Sequence, residues 1–143
     1  MMRSNRSLRL LVLATAFVLS CAGTKDVGGG LWGMLGGVSG VSALSSAFGR
    51  NLRADATASQ ALGAAGIEAA QKGLYNSVAK LGGYSLEKGT DLQSVLKGMK
   101  LDTSAVNAVG SSLTKAGDEQ GLDAAGMAGL KGIWEPIAKS VGK

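Results

Sequence analysis

Residues 55–83 read DATASQALGAAGIEAAQKGLYNSVAKLGG, and the fold turns on how this stretch is read. Leu62, Ile67, Leu74, Val78 and Leu81 fall at spacings that return to one side of a helix with 3.6 residues per turn. Asp55 or Thr57 stands where an N-cap belongs, and Gly82 with Gly83 supplies a stop. No run alternates apolar and polar residues with the β-branched content of a half-buried strand. The stretch therefore predicts one long helix from about residue 57 to Leu81.

The same period extends in both directions. Upstream, Leu31, Leu35, Val38, Val41, Leu44 and Phe48 recur at steps of three or four and predict a helix over 31–48, with Gly49, Arg50 and Asn51 ending it and Gly49 as the C-terminal cap. Downstream, a loop from Tyr84 to Gly89 leads to Thr90 and Asp91, N-caps for a short helix carrying Leu92, Val95, Leu96 and Met99 that frays at Gly98. Asp102 or Thr103 opens the next helix, with Val106, Val109 and Leu113 and a close near Gly117. Asp123 opens the last, through Leu130, Ile133, Ile137 and Val141. Pro136 lacks an amide donor and its ring would meet the carbonyl of Gly132, so a kink or restart is expected there. The expected fold is all-α, a small bundle of about four to five helices.

Composition narrows the function. The chain has 143 residues, 23 of them Gly, one Cys and no His. Without His, and with one Cys, zinc sites and His-based catalytic triads lack their ligands and bases. Asp118 and Glu119 are adjacent acids expected in an interhelical turn, and Ser77 with Lys80 is a spacing any helix can show by chance. Gly28 to Gly30 and Gly36 with Gly37 follow no strand, so no phosphate-cradling loop is expected. Trp32 and Trp134 read as core anchors more readily than as a ligand platform. We expect no catalytic residues, no cofactor and no metal. The lysines are spread singly rather than clustered, which gives no electrostatic case for a nucleic-acid partner or for a polybasic contact with a membrane.

The N-terminus carries the most specific signal. Arg3, Arg6 and Arg9 precede an uncharged, mostly apolar run from Leu10 to Leu19, the layout of a secretory leader. The run falls short of the roughly 20 apolar residues a spanning helix needs. At its end, Val18, Leu19, Ser20 and Cys21 place an aliphatic, a variable and a small residue before the only cysteine. This tetrad resembles the lipobox of bacterial lipoproteins. The resemblance, which covers residues 1–23, implies cleavage before Cys21 and acylation of that cysteine, with the lipid anchoring the chain to a membrane. Ala22, rather than aspartate, favours the outer membrane where the source has two. The division expected is a leader over 1–20, a lipidated cysteine and tether over 21–30, and a Gly/Ala-rich helical domain over 31–143. All 10 acidic residues follow Cys21 and 3 of the 15 basic ones precede it, leaving 12 against 10, a net +2 on the mature chain.

Small residues recur four apart, as Gly29, Gly33 and Gly37, then Ala61, Ala65, Ala69 and Gly73, then Gly121, Ala125 and Gly129. Such spacing lines one helical face and permits close backbone approach. The glycine series resembles the glycine-zipper segments of some outer-membrane lipoproteins over Gly28 to Gly49. It departs from them where the following helix carries Glu68, Gln71, Lys72 and Lys80, charges that return through lipid only at heavy cost. The expected role is a lipid-anchored structural or protein-interaction module of the cell envelope, meeting an envelope protein or itself through these faces. The alternatives are a membrane-active protein inserting the 28–49 helix and, more weakly, a carrier of small apolar ligands.

Overall fold

The computed structural model describes residues 30–141, so the leader, Cys21 and Gly29 lie outside the described residues. Within them the chain is all-α: α1 (Leu31–Met34), α2 (Val38–Ala54), α3 (Ala56–Leu81), α4 (Leu92–Lys97), α5 (Thr103–Glu119) and α6 (Ala124–Val141). The packing closes a ring. α2 lies against α3 and α5, α4 packs on α3, α6 on α5, and α4 meets α6, while α1 touches α3 and α6. The core runs through Val41, Leu44, Phe48 and Leu52 of α2, Leu74 and Val78 of α3, Leu92 and Leu96 of α4, Val109 and Leu113 of α5, and Leu130 and Ile137 of α6, all buried.

Four helices begin in the same way. The carboxylates of Asp55, Asp91, Asp102 and Asp123 accept from the backbone N–H of Ala58, Ser94, Ala105 and Gly126 at 2.8–3.1 Å, satisfying donors the helix cannot reach itself. Thr90 and Thr103 are not caps. The Thr90 hydroxyl donates to the Glu87 carbonyl at 2.6 Å, and Thr103 is already the first residue of α5. The Asp91 carboxyl is held below its ordinary value chiefly by the Ser94 side chain, against an opposing push from burial, with the Ser94 backbone N–H and the Lys80 charge also lowering it.

Several expected boundaries move, each for a reason found in the glycines. The predicted 31–48 helix is broken after Met34, because Gly36 and Gly37 take the left-handed φ of +86° and +79° and the Leu35 carbonyl fills the space a Cβ on Gly40 would need. Val38 therefore opens a new helix and stands exposed rather than on the core face. Gly49 does not end α2, which continues to Ala54. Gly49 is buried inside the helix, and the Gln71 side chain of α3 occupies the place of its absent Cβ. Gly117 likewise lies within α5 against Leu130 and Met127, and the chain turns instead at Gly121, with φ +69°. Asp118 and Glu119 thus belong to the last turn of α5, and Glu119 pairs with Arg50 at 3.6 Å. α3 is kinked at Gly63 (φ 71°, ψ 172°). α6 runs through Pro136 as one helix with no restart. The carbonyl that Pro136 leaves without a donor belongs to Gly132, which is exposed, so water can satisfy it.

Cross-links fix the ring. Asn51 donates to the Ser112 carbonyl at 3.3 Å between α2 and α5, Asn76 to the Thr90 carbonyl at 3.0 Å, and the Leu92 N–H to the Ser77 hydroxyl at 3.0 Å between α3 and the start of α4. Gln93 donates to the Ser140 hydroxyl at 3.1 Å, joining α4 to α6. At Gly73 the α4 backbone comes so near that a Cβ would lie 2.9 Å from the Leu92 Cα.

Four substitutions check this packing by chemical denaturation. Gly73→Ala should lower stability by about 1–3 kcal/mol because backbone cannot step aside, whereas Gly132→Ala, in an open helical position, should raise it by about 0.5–1 kcal/mol. Ser45→Ala should also raise stability, by about 1 kcal/mol, since the Ser45 hydroxyl is buried with no hydrogen-bond partner among the described residues. Asp91→Ala should lose about 1 kcal/mol at neutral pH. Because the folded-state pKa is depressed, that contribution is present above the ordinary carboxylate pKa and lost as pH falls through the lowered one, so mutant and parent should converge in acid.

Candidate functional site: a groove and an aromatic end

Two surface features remain once the core is assigned. The first is an open groove of about 570 Å³ between α5 and α6. Its floor is Leu113, Met127, Leu130 and Trp134, and its rim carries Ser111, Thr114, Lys115 and Lys131. Gly110 lets the Trp134 indole lie directly on α5, since a Cβ there would be 2.5 Å from the indole nitrogen. Lys131 is drawn toward Glu135 one turn along at 3.7 Å, an exposed pair of small energetic weight. The lining is mainly apolar with a polar rim, which suits an apolar body with a polar end.

The second feature is the end of the bundle at which the described chain begins. Trp32 of α1 meets Tyr75 of α3 edge-on, with ring centroids 6.0 Å apart, and Tyr84 of the following loop in a tilted stack at 5.0 Å. Gly82 makes room for the indole, because a Cβ there would be 2.7 Å from Trp32 Cγ. Among the described residues the exposed large hydrophobics are Met34 (43%), Val38 (59%), Leu81 (50%) and Tyr84 (55%), each within a few residues in sequence of Trp32 or of the Gly82 and Tyr84 it packs against. Val38 follows Gly37, whose N–H donates to the Trp32 carbonyl, and Leu81 precedes Gly82.

The residues expected to pack by small-residue faces are dispersed. Gly33 is half-buried in α1 and Gly37 sits in the break, so the glycine series does not form one helical face among the described residues. Ala61 and Ala65 are exposed, Ala69 is half-buried, and Gly73 alone of that stripe makes a close backbone contact. The kink at Gly63 divides the stripe, and the face that packs is instead Ala58, Leu62, Ile67, Ala70, Leu74 and Val78. Gly121 lies between helices, Ala125 is exposed, and Gly129 touches Leu31. Trp32 and Trp134 are both half-buried against the core, partly anchors and partly surface. Of the Ser77 and Lys80 pair, the Ser77 hydroxyl is engaged by the Leu92 N–H and Lys80 is exposed. Tyr84 lay outside any periodic run, so only its pairing with Trp32 in three dimensions reveals it.

No protein-family model, curated protein or solved structure matches the chain.

Filling the groove tests its construction. Gly110→Leu, made beside Trp32→Phe so that Trp134 is the sole emitter, should displace the indole, red-shift its fluorescence and lower stability by about 1–3 kcal/mol.

Proposed function

We propose that the protein is a lipid-anchored helical module of the bacterial cell envelope, held to a membrane through acylated Cys21 and acting by structural or protein–protein contact rather than by catalysis. The observation that carries this reading is the tetrad Val18–Leu19–Ser20–Cys21, set directly behind a basic and then apolar leader and containing the only cysteine. Each buried acyl methylene contributes about 0.8 kcal/mol, so several chains on one residue hold a protein at a membrane durably.

The placement of the glycine-rich segment supports a folded module over an inserting one. Val41, Leu44, Phe48 and Leu52 are buried against α3 and α5, and entering a bilayer would require giving up that core. Among the described residues no helix is long and apolar enough to cross a membrane.

Expression of the full chain in a bacterial host, followed by intact-mass analysis and fractionation, tests the anchor. The expected product starts at Cys21, carries acyl mass and sediments with membranes, while Cys21→Ala stays unprocessed. Cleavage at another position with a free thiol would overturn the reading.

A further inference from the structure

The exposed apolar end of the bundle has a location as well as a composition. Trp32 packs against Tyr75, Gly82 and Tyr84, joining α1 to the end of α3 and its loop, and the exposed Met34 and Val38 on one side and Leu81 on the other flank these residues in the chain. Gly30, two residues from Trp32, is where the chain leaves the described structure toward Cys21. Nine residue steps separate Gly30 from Cys21, and so many residues cannot span more than roughly 30 Å. A membrane anchor at Cys21 therefore holds this end of the domain within about its own diameter of the bilayer.

The chemistry of the patch fits that neighbour. Trp and Tyr are the side chains that favour the membrane–water boundary, placing a ring among acyl carbons and a polar tip among headgroups. Lys80, next to Leu81 in the chain, and Lys88, in the loop that follows Tyr84, are exposed, and long basic side chains of this kind can lay their methylenes along apolar surface with the charge toward headgroups. A weak contact suffices, because the tether makes docking intramolecular and raises the effective concentration of the surface.

We propose that the Trp32 end, with Met34, Val38, Leu81 and Tyr84, rests in the interfacial layer of the bilayer that carries the acyl chains of Cys21, which turns the α5–α6 groove and the rest of the bundle toward other partners. This inference rests on the lipid-anchor reading.

The test uses the two tryptophans as separate reporters. The chain purified from bacterial membranes is placed in phosphatidylcholine vesicles whose acyl chains are brominated near the headgroup. Trp134→Phe leaves Trp32 as the emitter, and Trp32→Phe leaves Trp134. Trp32 emission should fall by more than about twofold relative to unbrominated vesicles, while Trp134 changes little, as expected for a ring within 5–10 Å of the headgroup boundary. Val38→Asp with Leu81→Asp, at two exposed positions and with an unchanged fold verified by circular dichroism, should abolish most of the Trp32 quenching. Equal quenching of both tryptophans, or an unquenched Trp32 on vesicle-bound protein, overturns the proposal. A Trp32 shielded instead by a second copy, seen as a crosslinked dimer through this face, also overturns it. Intact mass of the same samples reports separately on acylation. If Cys21 carries no lipid, coupling a maleimide phospholipid to its thiol in the full chain supplies the attachment and the same quenching comparison decides.

Discussion

The burial of one face of α2 between α3 and α5 sets the rest of the structure. Val41, Leu44, Phe48 and Leu52 follow one another along that face with no exposed surface. Phe48 is the largest side chain among the fully buried ones. A chain with few aromatics has little bulk with which to fill space, so it brings backbones together. Gly49, Gly73, Gly110 and Gly117 each remove a side chain where another element arrives. Every such glycine weakens its own helix by about 0.5–1 kcal/mol relative to alanine, a loss that the dispersion contacts of close packing must offset.

That dual use of glycine explains which parts of the fold the sequence discloses. The all-α class follows from apolar period alone, and the starts of α3, α4, α5 and α6 follow from aspartates whose carboxylates can reach a backbone N–H three residues on. Glycine carries no such local signature. Gly49 and Gly117 look like stops and are contact points inside helices, while Gly37 looks like part of a packing stripe and, with Gly36, is a break. The difference lies in what stands opposite each glycine, in residues distant along the chain. Small-residue spacing in α3 misleads for a related reason, since Gly63 changes direction midway and leaves Ala61 and Ala65 facing outward.

The surface follows a similar division. The lipobox is a local signal and can be read from four residues, whereas the groove and the aromatic end exist only after folding. Trp134 acquires a concave floor because Gly110 lies on another helix, and Trp32 acquires Tyr84 because the chain returns beside it after α3. The two tryptophans, which look alike in sequence as core anchors, therefore belong to different surfaces.

The ring of helices also carries a consequence for the order in which the molecule is made. α4 has six residues, far below the length at which an isolated helix holds in water, and it is stabilised by α3 on one side and α6 on the other, through Leu92, Leu96 and the Gln93–Ser140 hydrogen bond. Ile137 and Val141, at the far end of α6, are part of the same core. A nascent chain that has produced α1 through α5 still lacks one wall and has apolar surface on display. α4 has both of its neighbours only when α6 is present through Val141, so the last helix in the sequence is also the one that completes the ring.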